Sequence, residues 1–158
     1  MRGLPKRRRL EAKTDYGTRL TLIRSGKPRF VLRKTNRYIV AQLVLSKSAQ
    51  DTVVLTVSSK DLLEKGWPKD KTGSLKSLTA AYLTGYMFGN LAKKQTKEAI
   101  LDLGMQRNIK KSRLYAALKG AVDAGFSVPH SSEALPTDAQ ISSNKLVGGL
   151  VASLKKSL

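Results

Sequence analysis

The chain has 158 residues, 41% of them apolar, enough to bury one hydrophobic core, which excludes a wholly disordered basic polypeptide. It has no cysteine, which excludes disulfide frameworks and thiolate metal sites, and no stretch nears the roughly 18 apolar residues of a membrane span, so a soluble, cytoplasmic protein is expected. Of the net charge of +19, +11 falls in the first 37 residues, where thirteen Lys and Arg face only Glu11 and Asp15; such self-repulsion calls for a polyanion, and phosphate backbones are the densest.

Residues 1–13 contain Gly3, Pro5 and the run Lys6, Arg7, Arg8, Arg9 without apolar periodicity, and read as an arm with no structure of its own. Only Leu4 could anchor Met1 to Arg9 in lipid, so a membrane surface is not the expected partner. From Thr14, a candidate N-cap, Tyr16, Leu20 and Ile23 keep helical spacing until Ser25, Gly26 and Pro28. The period then switches to two. Arg29–Lys34, Tyr38–Leu45 and Thr52–Ser58 are predicted strands. A tight turn at Thr35 and Asn36 would set Arg33 opposite Tyr38, Val31 opposite Val40 and Arg29 opposite Gln42 on one face, leaving Phe30, Leu32, Ile39, Ala41 and Leu43 for the core.

Ser58 and Asp61 have capping-box spacing for a short helix that Gly66 stops before Trp67. After a polar loop over 68–77, a helix is predicted from Leu78 to Lys94 with an inner stripe of Leu78, Ala81, Tyr82, Gly85, Phe88, Gly89 and Leu91, its two glycines packing close to a sheet. Ala99–Leu103 reads as a buried parallel strand reached by a helical crossover. After the loop Gly104–Lys111, Leu114, Ala117, Leu118, Ala121 and Val122 mark a helix from Ser112 to about Ala124, with Gly125 beyond it. Residues 127–158 form an extension, irregular around Pro129 and Pro136, with a candidate closing helix bearing Leu146, Leu150, Val151 and Leu154 that Gly148 and Gly149 weaken. The fold class is therefore α/β: a mixed sheet of three meandering antiparallel strands plus one parallel strand, with helices packed on it, over a domain of residues 14–126.

This element order is also that of ribonuclease-H-like enzymes, making a metal-dependent nuclease the rival from another class. Two-metal phosphoryl chemistry needs several converging carboxylates. The first strand, the second strand and the helix from Leu78 contain none. Asp102 stands alone on the fourth strand and reads as a satisfied structural partner, and His130, the only histidine, lacks a second ligand or catalytic mate. Gly104 is followed by Met105, Gln106 and Arg107, not by a phosphate-loop fingerprint. No enzymatic activity, metal, cofactor or small-molecule substrate is expected.

The stretches DYGTRLTLIRSGKPRFVLRKTNRYIVAQLV (15–44), AAYLTGYMFG (80–89), AILDLGMQR (99–107) and SRLYAALKGAVDAGFSVPHS (112–131) resemble the large-subunit ribosomal protein eighteen family in its archaeal form, related to the eukaryotic protein numbered five. The resemblance spans about residues 7–135. It implies a ribonuclease-H-like domain without catalytic acids that binds 5S rRNA in the central protuberance. It also implies contacts to large-subunit rRNA and to neighbouring large-subunit ribosomal proteins. An RNA-binding assembly factor is the alternative; such a factor would leave mature subunits.

Among the candidate contact residues, Lys6, Arg7, Arg8 and Arg9 suit phosphates, because an arm can follow a groove and order as it is neutralised. The resemblance places the whole region through Arg37 on 5S RNA, which adds Lys13, Tyr16, Arg19, Arg24, Arg29 and Thr35, with Gln42 across the hairpin. Arg33, Lys34, Asn36 and Arg37 can reach phosphates and sugars, and Tyr38 either stacks on an unpaired base or packs as a strand aromatic. Arg107, Asn108, Lys110, Lys111 and Arg113 form a second cluster at a helix start, where free amides and the macrodipole favour an anion.

Overall fold

The computed structural model describes residues 4–47, 50–143 and 151. Three strands meander as expected: β1 (Arg29–Lys34), β2 (Ile39–Lys47) and β3 (Gln50–Ser58), with β4 (Ile100–Asp102) parallel to β1, giving the order β3-β2-β1-β4. The β1–β2 register is two residues off the expected one. Arg33 faces Val40, Val31 faces Gln42 and Arg29 faces Val44. The connection is four residues long, because the Thr35 amide and hydroxyl both donate to the Tyr38 carbonyl at 2.8 and 2.9 Å and the Tyr38 amide donates back to Thr35 Oγ1 at 2.9 Å. A slip of two leaves every side chain on its own face, so Phe30, Leu32, Ile39, Ala41 and Leu43 are fully buried as predicted.

That buried face receives α3 (Leu78–Ala92), over which α4 (Arg113–Asp123) lies. Phe30 stacks on Phe88 with centroids 4.4 Å apart, and Phe126 meets both rings edge-on. Because α3 is enclosed by sheet and helix, it is buried nearly all round rather than along one stripe: Thr79, Leu83, Thr84 and Met87 are buried too, while Leu91 is exposed. The glycines of α3 serve the helix pair, not the sheet. A Cβ on Gly85 would sit 1.8 Å from the Ala117 carbonyl oxygen, one on Gly89 would sit 2.7 Å from that of Ala121, and one on Gly120 of α4 would sit 2.0 Å from that of Tyr82. The two backbones touch, so only hydrogen fits at these positions.

The predicted capping box is present, Ser58 and Asp61 opening a 3₁₀ turn over Ser59–Leu63, with Gly66 beyond it at φ +103°. Another 3₁₀ turn, Lys69–Ser74, occupies some of the expected polar loop. The fourth strand is shorter than predicted and lies at the sheet edge, with Ile100 and Leu101 only half-buried. The stretch read as irregular returns to the core through Val128, Ala134 and Ile141 and contains a short helix, α5 (Asp138–Ser142), opened by a Thr137/Gln140 capping box. Of the closing helix, Leu146, Leu150 and Leu154 lie outside the described residues; Val151 is helical and packs half-buried on the core. The arm is not featureless: Arg7–Leu10 form one exposed helical turn, α1.

Candidate nucleic-acid interface

Alternation along β1 puts Arg29, Val31 and Arg33 on the face opposite the core. In the parallel register Asp102 of β4 lies beside Val31, midway between the two arginines, so both guanidinium groups converge on one carboxylate. Arg29 Nη1 donates to Asp102 Oδ2 at 2.8 Å, while Arg33 Nη2 and the Gly104 amide donate to Oδ1 at 3.0 and 2.8 Å. Asp102 is only 7% exposed, and both of its carboxylate oxygens accept hydrogen bonds, Oδ1 two and Oδ2 one. Its occupancy by two arginines is the structural role expected for it.

Asp51 extends the network: Arg29 Nη2 lies 2.7 Å and Arg19 Nη2 2.9 Å from its carboxyl oxygens, and Ser46 Oγ donates to it at 2.7 Å. Burial would raise the Asp51 pKa, but the hydrogen bonds from Ser46 and Arg29 and the charges of Arg29 and Arg19 together hold it below the ordinary value. The pair Arg19–Asp51 ties helix α2 (Tyr16–Arg24) over this second face of the sheet, where Val31 and Val44 are buried. Asp15, not Thr14, caps α2. The Thr18 hydroxyl and the Gly17 and Thr18 amides donate to its carboxylate and lower its pKa. Thr14 Oγ1 instead accepts from Arg8 Nε at 2.9 Å, and Lys6 Nζ sits 4.4 Å above the Tyr16 ring, folding the arm back onto α2.

The candidate residues therefore divide. Arg29 is buried and held by carboxylates, so it positions the surface rather than presenting itself on it. Arg33 is a third exposed and committed to Asp102, Arg19 to Asp51, and Arg7 and Lys13 to Glu11. Thr35 shapes the hairpin connection, and Gln42 donates to Thr56 Oγ1 at 3.1 Å. Tyr38 packs half-buried against the core cluster. Among the described residues the side chains of Arg9, Arg24, Lys34 and Arg37 are exposed and form no ion pair. Asn36 is exposed beside them, its carbonyl accepting from Lys76 Nζ at 2.7 Å.

The second cluster is separate but shares Lys34 with the first. Gln106 pairs with the Lys34 backbone through both ends of its amide, accepting at 3.2 Å and donating at 3.1 Å, so the loop after β4 is strapped to the end of β1. Asn108 accepts from the Tyr115 hydroxyl, and Lys110 is engaged with Glu133. Lys111 adopts φ +59°, its amide donating to the Ala134 carbonyl at 2.8 Å. Sequence reading missed the Asp51–Arg29–Asp102–Arg33 network. The signal was there: an aspartate inside the apolar run Ala99–Leu103 demands a cation, and the neighbouring strand alternates Arg, Val, Arg.

Among the described residues no group of three or more His, Cys, Asp or Glu converges to hold a metal, and no helix is long and apolar enough to cross a membrane. His130 is exposed, its Nδ1 lying 2.7 Å from the Val128 carbonyl oxygen.

Known proteins are similar to this chain over most of its length. A family model described as ribosomal large subunit proteins 60S L5 and 50S L18 matches residues 3–98 and 92–131. A large ribosomal subunit protein uL18 of Korarchaeum cryptofilum is 52% identical over 136 residues, covering 85% of this chain and 68% of its own length. Those of Aeropyrum pernix and Methanothrix thermoacetophila are 44% and 48% identical over 87% of the chain, which spans 64% and 80% of their respective lengths. With model and relatives in agreement, this chain belongs to the family of ribosomal large-subunit proteins 60S L5 and 50S L18.

Proposed function

We propose that the chain is a non-catalytic constituent of the large ribosomal subunit in the cytoplasm. In this reading it binds 5S rRNA and helps attach it to large-subunit rRNA in the central protuberance, beside neighbouring ribosomal proteins. The names of its relatives support the ribosomal role. The observation that carries the RNA reading is the uncompensated charge of the arm, α2 and hairpin tip. Asp51 and Asp102 neutralise the cations that hold this surface together, while among the described residues Arg24 and Arg37 are exposed and form no ion pair.

Residues 1–13 serve as the arm, which extends along RNA as its charge is neutralised; 14–126 are the RNA-binding domain, and 127–158 a C-terminal extension whose Val128, Ala134 and Ile141 are buried in the core. Recognition is of shape and backbone, since an A-form major groove is too deep and narrow for side chains to read. The carboxylates are arranged for packing, not for metal-assisted cleavage, because both belong to arginines.

The test is retention. The tagged chain, expressed in an archaeal relative's cells, should sediment at one copy per large subunit after high-salt washing and co-purify with 5S rRNA. Loss from mature subunits with presence on precursors would favour an assembly factor instead.

A further inference from the structure

A groove of about 690 Å³ opens between the end of β1, the start of α3 and the loop leading into α4. Its floor is aliphatic, made by Leu78, Ile109 and Leu114, and Ile109 is 55% exposed at a position where a globular surface gains nothing from it. Its rim carries Lys34, Arg107 and Arg113, and no carboxylate lines it. Among the described residues these three cations form no ion pair.

The groove is built in advance. Gln106 pins one wall to Lys34, and just before the lining residue Ser112 the left-handed backbone of Lys111 is held by the Ala134 carbonyl. At its inner end α4, eleven residues long, begins without a side-chain cap: Ser112 occupies the N-cap position, yet its Oγ is buried and makes no hydrogen bond among the described residues. First-turn amides are thus left for an acceptor from outside.

We propose that this groove docks an acidic peptide segment of a neighbouring protein, an apolar side chain seated on Leu78, Ile109 and Leu114 and carboxylates meeting Lys34, Arg107, Arg113 and the start of α4. An RNA strand fits less well, since unpaired bases are read on flat aromatic faces and the floor here is branched aliphatic. The assignment replaces the RNA contact expected here from charge alone, and rests on the ribosomal reading only for the neighbour being a subunit protein.

The probe is a blocked hexapeptide, Glu-Asp-Leu-Phe-Asp-Glu, titrated into the isotope-labelled full chain and followed by amide NMR. The expected result is saturable shifts around Ile109, Ser112 and Leu114. Both Ile109→Glu and Arg113→Glu should weaken binding about tenfold or more. A peptide with Leu and Phe replaced by Ala should bind at least as weakly. Ile109 is exposed enough for its variant to fold, which an unchanged amide spectrum elsewhere verifies.

No shift at millimolar peptide, equal binding of the alanine peptide, or displacement of the peptide by a uridine hexanucleotide that shifts the same amides would overturn the proposal. Binding of 5S RNA is measured separately on wild type and Ile109→Glu. A retained RNA affinity with no peptide binding sinks this inference alone, whereas lost RNA binding by wild type sinks the ribosomal reading.

Discussion

Replacing Asp102 by Asn removes one negative charge at the point where two guanidinium groups converge and changes almost nothing in volume. The Asn oxygen can still accept from the Gly104 amide, and Arg29 keeps Asp51 at 2.7 Å and Ser46 at 3.1 Å. What is lost is the charge partner of an arginine only 5% exposed and the anchor of Arg33. Breaking a buried pair from one side costs about 3–5 kcal/mol because the remaining ion stays out of water. The surviving Asp51 partner argues for the lower end, about 3 kcal/mol. Against a total stability of about 5–15 kcal/mol this is a large fraction, and in a chain of this length it corresponds to a fall in Tm of about 6–12 °C. Equilibrium urea unfolding followed by circular dichroism, with melting as a second readout, measures it. A loss below about 1 kcal/mol would refute the reasoning, showing that Arg29 escapes to solvent and that the network is a surface feature.

Gly85→Ala should destabilise by about 2 kcal/mol or more despite the roughly 1 kcal/mol helix-propensity gain, because the added methyl strikes the Ala117 carbonyl and must force α3 and α4 away from each other; Gly73→Ala, which meets nothing within 4 Å, should be neutral or slightly stabilising in the same urea assay. The depressed pKa of Asp51 contributes stability that is present above the ordinary value of 3.8 and fades as pH falls through the lower folded value. Asp51→Asn should therefore flatten the stability profile below the ordinary value of 3.8 while leaving its shape near neutrality unchanged, as read by urea titrations from neutral to acid pH. Changing Lys6 to Arg9 together to Ala should leave the melting curve in place, since these side chains are exposed, and should reduce the salt slope of RNA binding by about three. Magnesium should elicit no RNA cleavage from wild type; cleavage that disappears in Asp102→Asn would restore the nuclease alternative.

The strands, the crossover and α4 were legible because period-two and period-3.6 patterns report which face is buried, and the β1–β2 faces survived a two-residue register error for that same reason. The error arose at Thr35–Tyr38, where a Thr hydroxyl closes a four-residue connection that a Thr-Asn pair does not announce. Enclosure of α3 was not legible, because its small residues Thr79, Ala80, Thr84 and Gly85 read as a neutral face until a second helix is known to lie on them. The helix α5 was missed although Thr137 and Gln140 carry capping-box spacing, since Pro136 and a short apolar content masked it.

Charge alone located the basic region but could not sort it. Arg29 and Arg24 look alike in sequence, yet one is buried between two aspartates and the other exposed. That difference depends on β4 delivering Asp102 between alternate residues of β1 and on Asp51 beginning β3, both long-range pairings. Likewise the groove at Ile109 follows from the Gln106 strap, a side-chain contact with a strand 72 residues away.

The central claim, that outward cations anchor this fold to 5S RNA, is tested most directly by measuring the affinity of the purified full chain for a 5S transcript across about 50–200 mM salt. Neutralisation of roughly six to ten phosphates predicts tight binding at the low end and a loss of about 10³–10⁵ in affinity over that range. A flat salt response, or no binding even at the lowest salt, would contradict it.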